Sequence, residues 1–272
     1  MFSAKNSVFG LLILTVILAL EGCSNDTTTP LNPDEPKYID LDEGYEEYID
    51  QLWNNVFVPA DTPVTAIGWI YQNAENWGSY IINLGSGIYD MPSGTDLYFD
   101  GKFVRIIVRT DSQATLALKN DDPGYMVGVG RNVNLILEKN ITLKGISNNT
   151  EALLQVAEGG KLEMRSGSRI CDNKNPLNFG GAVIIYDSFF TMKGAMIDNN
   201  EGLAGGGVLV VGASTFTMTE STIKNNVAGN GGGVAVNGKS TFTMTNCVIE
   251  DNKANEAGGG VFLTENVIFS MK

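Results

Sequence analysis

The sequence predicts an all-β fold, a parallel β-helix built as a three-sided solenoid of about 26 residues per coil, with short N-terminal helices as a cap. Three recurrences predict it. Gly-Gly-Val returns with its valine at Val183, Val208, Val234 and Val261. An aromatic-x-Met strand returns as Phe190–Met192, Phe216–Met218, Phe242–Met244 and Phe269–Met271. An Ile-x-x-Asn turn returns at Ile170, Ile197, Ile223 and Ile249. A step of that length is too long for a hairpin and contains no helical crossover, so each step must close on itself and stack on the next.

Before the repeats, the chain reads as an export label and a stalk. Lys5 precedes an apolar run from Val8 to Leu20, shorter than the ~20 residues a spanning helix needs, so residues 1–22 are expected to be a signal peptide. Leu20, Gly22 and Cys23 resemble the lipobox of bacterial lipoproteins, and that resemblance implies lipid attachment at Cys23. Residues 23–42 are Pro- and Thr-rich without apolar periodicity, a flexible acidic tether. Between Asp26 and Asp50 nine acids face one Lys, so most of the net charge of -13 falls in the tether and the start of the segment that follows it.

Residues 43–79 are expected to form the helical cap. Tyr45, Tyr48, Ile49, Leu52, Trp53 and Val56 recur at helical spacing. A second helix starts at Thr62 as N-cap with Pro63 in its first turn, and would bury Val64, Ile67, Ile70, Tyr71 and Ala74.

From residue 80 to 272 short alternating strands take over, among them FVRIIV, ATLAL and VNLIL. Alternation sends Val208, Val210, Ser214, Phe216, Met218 and Ile223 inward, each beneath its counterpart in the next coil. Glycine makes up 32 of 272 residues, well above the usual ~7%, and a coil with sharp corners needs residues that accept positive φ. Asn173, Asn200, Asn226 and Asn252 fall at one corner, where side-chain amides can hydrogen-bond up the stack as a structural ladder. The neighbouring Asp172, Asn199, Asn225 and Asp251 could be read as Ca²⁺ ligands, but two are neutral amides, and no metal site is assigned.

Gly180-Gly181-Ala182-Val183 and Ile249-Glu250-Asp251-Asn252 resemble repeats of right-handed parallel β-helix surface proteins of Gram-negative bacteria, including the polymorphic outer membrane proteins. The resemblance implies a right-handed coil of the pectin-lyase-like kind and a role in adhesion or surface interaction.

Composition removes other classes. With no His there is no Ser-His-Asp triad and no imidazole ligand, and three Cys, one of them given to lipid, do not complete a tetrahedral metal site. The acidic balance argues against nucleic acid. Gly233 to Ser240 spells a P-loop, but its Val234 and Val236 hold inward strand positions, so neither nucleotide nor other cofactor is expected. Cys171 and Cys247 are three coils apart, roughly 14 Å at the sheet spacing, beyond the ~7 Å a disulfide tolerates.

Asp198, Glu220, Glu250 and Asp251, with Arg165 and Arg169, are candidates for glycan chemistry. They are scattered over different sides, whereas acid–base work on a glycosidic bond needs carboxyls about 5 to 10 Å apart, so no catalytic residue is assigned. If a groove exists, its expected place is where the repeats break register, between Tyr80 and Gly160. Ile184, Leu209, Ala235 and Phe262 occupy outward positions of the Gly-Gly-Val strands and form a candidate contact face. The sequence stops in mid-coil at Lys272, from which truncation of a longer protein is expected. The expected function is an envelope-anchored adhesin or interaction scaffold at the outer membrane or cell surface, with the membrane and a host or surface protein or glycan as partners. A pectate-lyase-like lyase or glycoside hydrolase is the alternative.

Overall fold

The computed structural model describes residues 53–272; Cys23, the tether and most of the first expected helix lie outside the described residues. The described part is a parallel β-helix. Its longest sheet has nine strands, opening with Asn55–Phe57, Gly78–Leu84, Val104–Thr110, Val133–Leu137 and Lys161–Met164. It continues through Phe189–Lys193, Thr215–Thr219, Thr241–Thr245 and Ile268–Met271. Two seven-stranded sheets form the other sides, one containing Arg169–Cys171, Met196–Asp198 and Thr222–Lys224, the other Val183–Tyr186, Val208–Val211 and Val234–Val236.

Register places like on like. Phe190 pairs with Phe216, Phe216 with Phe242 and Phe242 with Phe269, while Ile170, Ile197, Ile223 and Ile249 form a second column and Val183, Val208, Val234 and Val261 a third. The first three rings stack at 4.9 Å between centroids and are fully buried. The inner members of these columns therefore contact their own kind above and below, and burial of a continuous apolar column supplies the main stabilisation.

The asparagine corner is a ladder. The side-chain oxygen of Asn200 accepts from the backbone N–H of Asn173 at 3.0 Å, that of Asn226 from Asn200 at 2.9 Å, and that of Asn252 from Asn226 at 2.9 Å. Asn149 adds a rung the repeat pattern does not reach, donating from Nδ2 to Oδ1 of Asn173 at 2.8 Å. The ladder residues do not themselves carry the bend. Positive φ falls on the residue before each, at Asp172, Asn199, Asn225 and Asp251, so the row that resembled Ca²⁺ ligands sets the corner.

Several expectations require correction. Later coils carry a fourth, four-stranded sheet of Lys174–Asn175, Glu201–Ala204, Val227–Asn230 and Lys253–Ala257, so they are not simply three-sided. Val56 is not helical: Asn55–Phe57 pairs in parallel with Ser79–Ile81, and the segment expected to be a wholly helical cap contains the first strand of the longest sheet. The edge of the first full coil offers unpaired backbone groups, and pairing them outweighs the local helical period.

The second helix is present as Pro63–Asn73, with Thr62 and Thr65 forming a reciprocal capping box. It buries Ala66, Ile67 and Ile70, and Ala74 at its C-cap is buried too, but Val64 and Tyr71 are exposed. Tyr71 stacks instead on Phe99, centroids 5.1 Å apart.

Candidate functional site

The outer surface of the nine-stranded sheet holds a groove of about 390 Å³ across its early strands. The strand Val104–Thr110 shows how the sequence builds it. Val104, Ile106 and Val108 point into the core, so Arg105, Ile107 and Arg109 point outward. Register then aligns Ile81, Ile107 and Ile136 as a buried apolar cluster on the outer side of the sheet. Ile81 and Ile107 line the groove, flanked by Arg105 on one side and Arg109 on the other.

Aromatic rings and carboxylates hold the arginines. The Arg105 guanidinium lies 5.6 Å from the ring centroid of Trp53, and that of Arg109 lies 5.1 Å from Phe57. Arg109 Nε also donates to Asn83 Oδ1 at 3.2 Å. Arg165 bridges two acids, with Nε 2.6 Å from Glu163 Oε1 and Nη1 2.7 Å from Glu138 Oε1. Arg105, Arg109, Lys139 and Arg165 line the groove together with Asp111 and Glu138, and Arg165 is also paired with Glu163 beside it. On a chain of net charge -13 the lining itself carries four basic side chains against two acidic ones, over an apolar floor. Such a surface suits a ligand carrying negative charge on a partly apolar backbone.

Most of the lining falls between Tyr80 and Gly160, where the sequence places the break in the repeats; Asn55 and Arg165 extend it. The signal for the arginines was the alternation within FVRIIVR, where Arg occupies outward positions two residues either side of Ile107. The aromatic clamps leave no such signal, because helical period claims Trp53, and Phe57 falls on no period.

The carboxylate candidates are not gathered. Asp198 accepts two hydrogen bonds of 2.6 Å from Arg169 in a bidentate pair, which raises the Arg169 pKa above its already high value. Asp198 and Glu250 share a column, two coils and roughly 10 Å apart, with Lys224 between them. Glu220 sits at a different corner with φ of 50°, and Asp251 at an exposed turn with φ of 51°.

The candidate contact face also needs correction. Ile184 and Phe262 are partly exposed, but Leu209 and Ala235 are 2% and 0% exposed. Glycine turns fold over this stripe: a Cβ built on Gly231 would lie 2.8 Å from the Ala235 Cβ, and one on Gly258 2.8 Å from the Phe262 Cβ. The chain covers its own outward valine-strand residues, so they do not form an open binding face.

The P-loop lookalike is strand and corner. Val234–Val236 is buried in its sheet, Gly238 turns with φ of 76°, and Thr241–Thr245 continues as strand where a P-loop would start a helix. Cys171 and Cys247 are both free thiols. Among the described residues no group of three or more Cys, Asp or Glu is placed to hold a metal ion, and no helix is long and apolar enough to cross a membrane.

Residues 139–271 match the family model described as right handed beta helix region, which together with the parallel topology gives the solenoid its right hand. Neither the curated proteins nor the solved structures contain a match to this chain. The family match begins after most of the groove, so the groove-bearing coils carry features of this chain beyond the matched repeat.

Proposed function

We propose that this chain is an exported, lipid-anchored binding rod of a bacterial surface, an adhesin or interaction scaffold whose ligand occupies the groove on the nine-stranded face. The observation that carries the reading is the pairing of Arg105 and Arg109 across a buried isoleucine row, both arginines held by aromatic rings. Guanidinium groups fixed in this way are pre-organised, and fixing them before binding lowers the entropic cost of capturing an anionic surface glycan or protein. The lipobox-like Cys23 and the likeness of the Gly-Gly-Ala-Val turns to polymorphic outer membrane protein repeats support the envelope setting.

Two measurements test it. In a bacterial host the full chain should fractionate with membranes, and Cys23→Ser should release it. The purified protein should retain acidic surface polymers on an array, with retention falling as salt rises and lost in Arg109→Glu. Retention unchanged by that charge reversal would remove the groove from the function.

Glycan cleavage remains the second reading, because Asp111 and Glu138 line the same groove as the arginines. New reducing ends or unsaturated products from acidic polysaccharides, abolished in Glu138→Gln, would favour it over simple binding.

A further inference from the structure

Beyond the groove, the same nine-stranded face changes character. Thr215, Thr217 and Thr219 stand in register beside Thr241, Thr243 and Thr245. The middle column continues to Thr191 on one side and Ser270 on the other. All point outward, because Phe216, Met218, Phe242 and Met244 between them are buried.

The rings directly beneath measure the lattice. Phe190, Phe216 and Phe242 stack at 4.9 Å with interplanar angles of 11° and 5°, so the rings beneath the threonines lie nearly parallel from coil to coil. Neighbouring strands ordinarily rotate by about 20–25°, and a flat stretch requires stacked ladders of this kind to hold it. Along each strand, residues facing the same way repeat at roughly 6.6–6.8 Å. Threonine is stiff at χ1, so each presents its hydroxyl and methyl in a restricted direction.

These hydroxyls are also unspent. Among the described residues no protein group hydrogen-bonds the six threonine hydroxyls of the block or that of Thr191. The serines at the corners, by contrast, are used internally: Ser188, Ser214, Ser221 and Ser240 donate to Tyr186, Val211, Thr219 and Asn237 carbonyls at 2.7–2.8 Å. No charged side chain interrupts the six-threonine block.

We propose that this block is an ice-binding surface, its ligand being the ordered water of a growing crystal face. A flat, uncharged grid of hydroxyls and methyls with these two repeats lies close to the spacing of oxygen atoms on faces of hexagonal ice. It can therefore hold a layer of water in positions the crystal already requires. A single hydroxyl–water contact is weak, and adhesion to a lattice comes from many made in register without reorganising the protein. The site is separate from the groove, and its function does not depend on the groove's ligand.

The test uses the mature chain with a fluorescent label, partitioned into slowly growing ice and observed on single crystals. The expected result is enrichment in the ice and faceted growth. The double variant Thr217→Tyr with Thr243→Tyr keeps strand-forming residues at outward positions but breaks the plane. It should fall to the level of a non-binding control while retaining the far-UV spectrum and unfolding midpoint. Lys224→Tyr on another face should partition as the unaltered chain does. Exclusion of the unaltered chain from ice, or undiminished partition of the double tyrosine variant, overturns the proposal. Adsorption to crystalline cellulose or chitin without adsorption to ice also overturns it, and assigns the lattice to a polysaccharide.

Discussion

Asn200 engages Asn226 twice through one acceptor: its backbone N–H and its Nδ2 donate to Oδ1 of Asn226 at 2.9 and 3.0 Å. Asn226 in turn donates from Nδ2 to the Lys224 carbonyl at 2.9 Å and the Asn252 oxygen at 3.0 Å. The residue is fully buried, so no water replaces these partners. Asn226→Ala should lose about 3 kcal/mol, since it strands several buried polar groups at once. Asn226→Asp should fare no better, because a carboxylate accepts from Asn200 but cannot donate to the carbonyls. Urea unfolding midpoints of the two variants check both statements.

The glycine turns make a second prediction. Gly231 has φ of 63°, and a Cβ there would stand 2.5 Å from the Val234 carbonyl oxygen and 2.8 Å from the Ala235 Cβ. Conformation and space both exclude a side chain. Gly231→Ala should destabilise by at least about 2 kcal/mol, more than the left-handed conformation alone costs. Gly94→Ala, at a comparable φ of 70° but with nothing within 4 Å of the added carbon, should lose less. Comparing the two by thermal unfolding separates clash from backbone strain.

What the sequence shows and hides follows from the range of each interaction. The coil, the inward columns and the asparagine ladder were legible because stacked coils copy one local pattern, so one repeat read correctly is every repeat read correctly. Leu209 and Ala235 were misplaced because alternation identifies the outward side of a strand without revealing that a later glycine turn folds over it. The strand Asn55–Phe57 was hidden for a similar reason: three residues carry no period, and their structure comes from the edge they pair with. The groove's location could be anticipated from broken repeats, but its clamps, Trp53 on Arg105 and Phe57 on Arg109, join residues about fifty positions apart and leave no local signature.

Position along the aromatic stack should set the cost of losing a ring. Phe216 is buried between Phe190 and Phe242 and touches a ring on each side, whereas Phe269 is 38% exposed and, among the described residues, stacks on Phe242 alone, at 5.2 Å and 30°. Phe216→Ala removes a whole inner ring and leaves a cavity that the fixed coil spacing prevents from collapsing, so a loss near 4 kcal/mol is expected. Phe269→Ala should cost about 1 kcal/mol, because much of its ring already faces water. Equal losses at the two positions in denaturant titrations would show that the stack is not the unit of stability.

The two free thiols should differ in reactivity and in their response to pH. Burial pushes the Cys171 thiol up to about 12, and the nearby Asp172 and Asp198 carboxylates add to the rise against the opposing pull of Arg169. Cys171 is 1% exposed, whereas Cys247 is partly exposed with its Sγ 3.1 Å from the Thr245 carbonyl. In a Cys23→Ser background at pH 8, a disulfide reagent should label Cys247 well before Cys171, because attack needs both access and thiolate. The raised value also sets a direction for stability. The folded state holds the Cys171 proton more tightly than the unfolded state, whose thiol titrates near 9.0. Below that pH the proton is bound in both states and the contribution is complete. As pH rises from about 9 toward 12 the unfolded chain gains an ionisation the folded chain resists, and this part of the stability is lost. Cys171→Ala should flatten the decline in unfolding free energy between pH 9 and 11, and an unchanged slope in that variant would assign the alkaline loss to other groups.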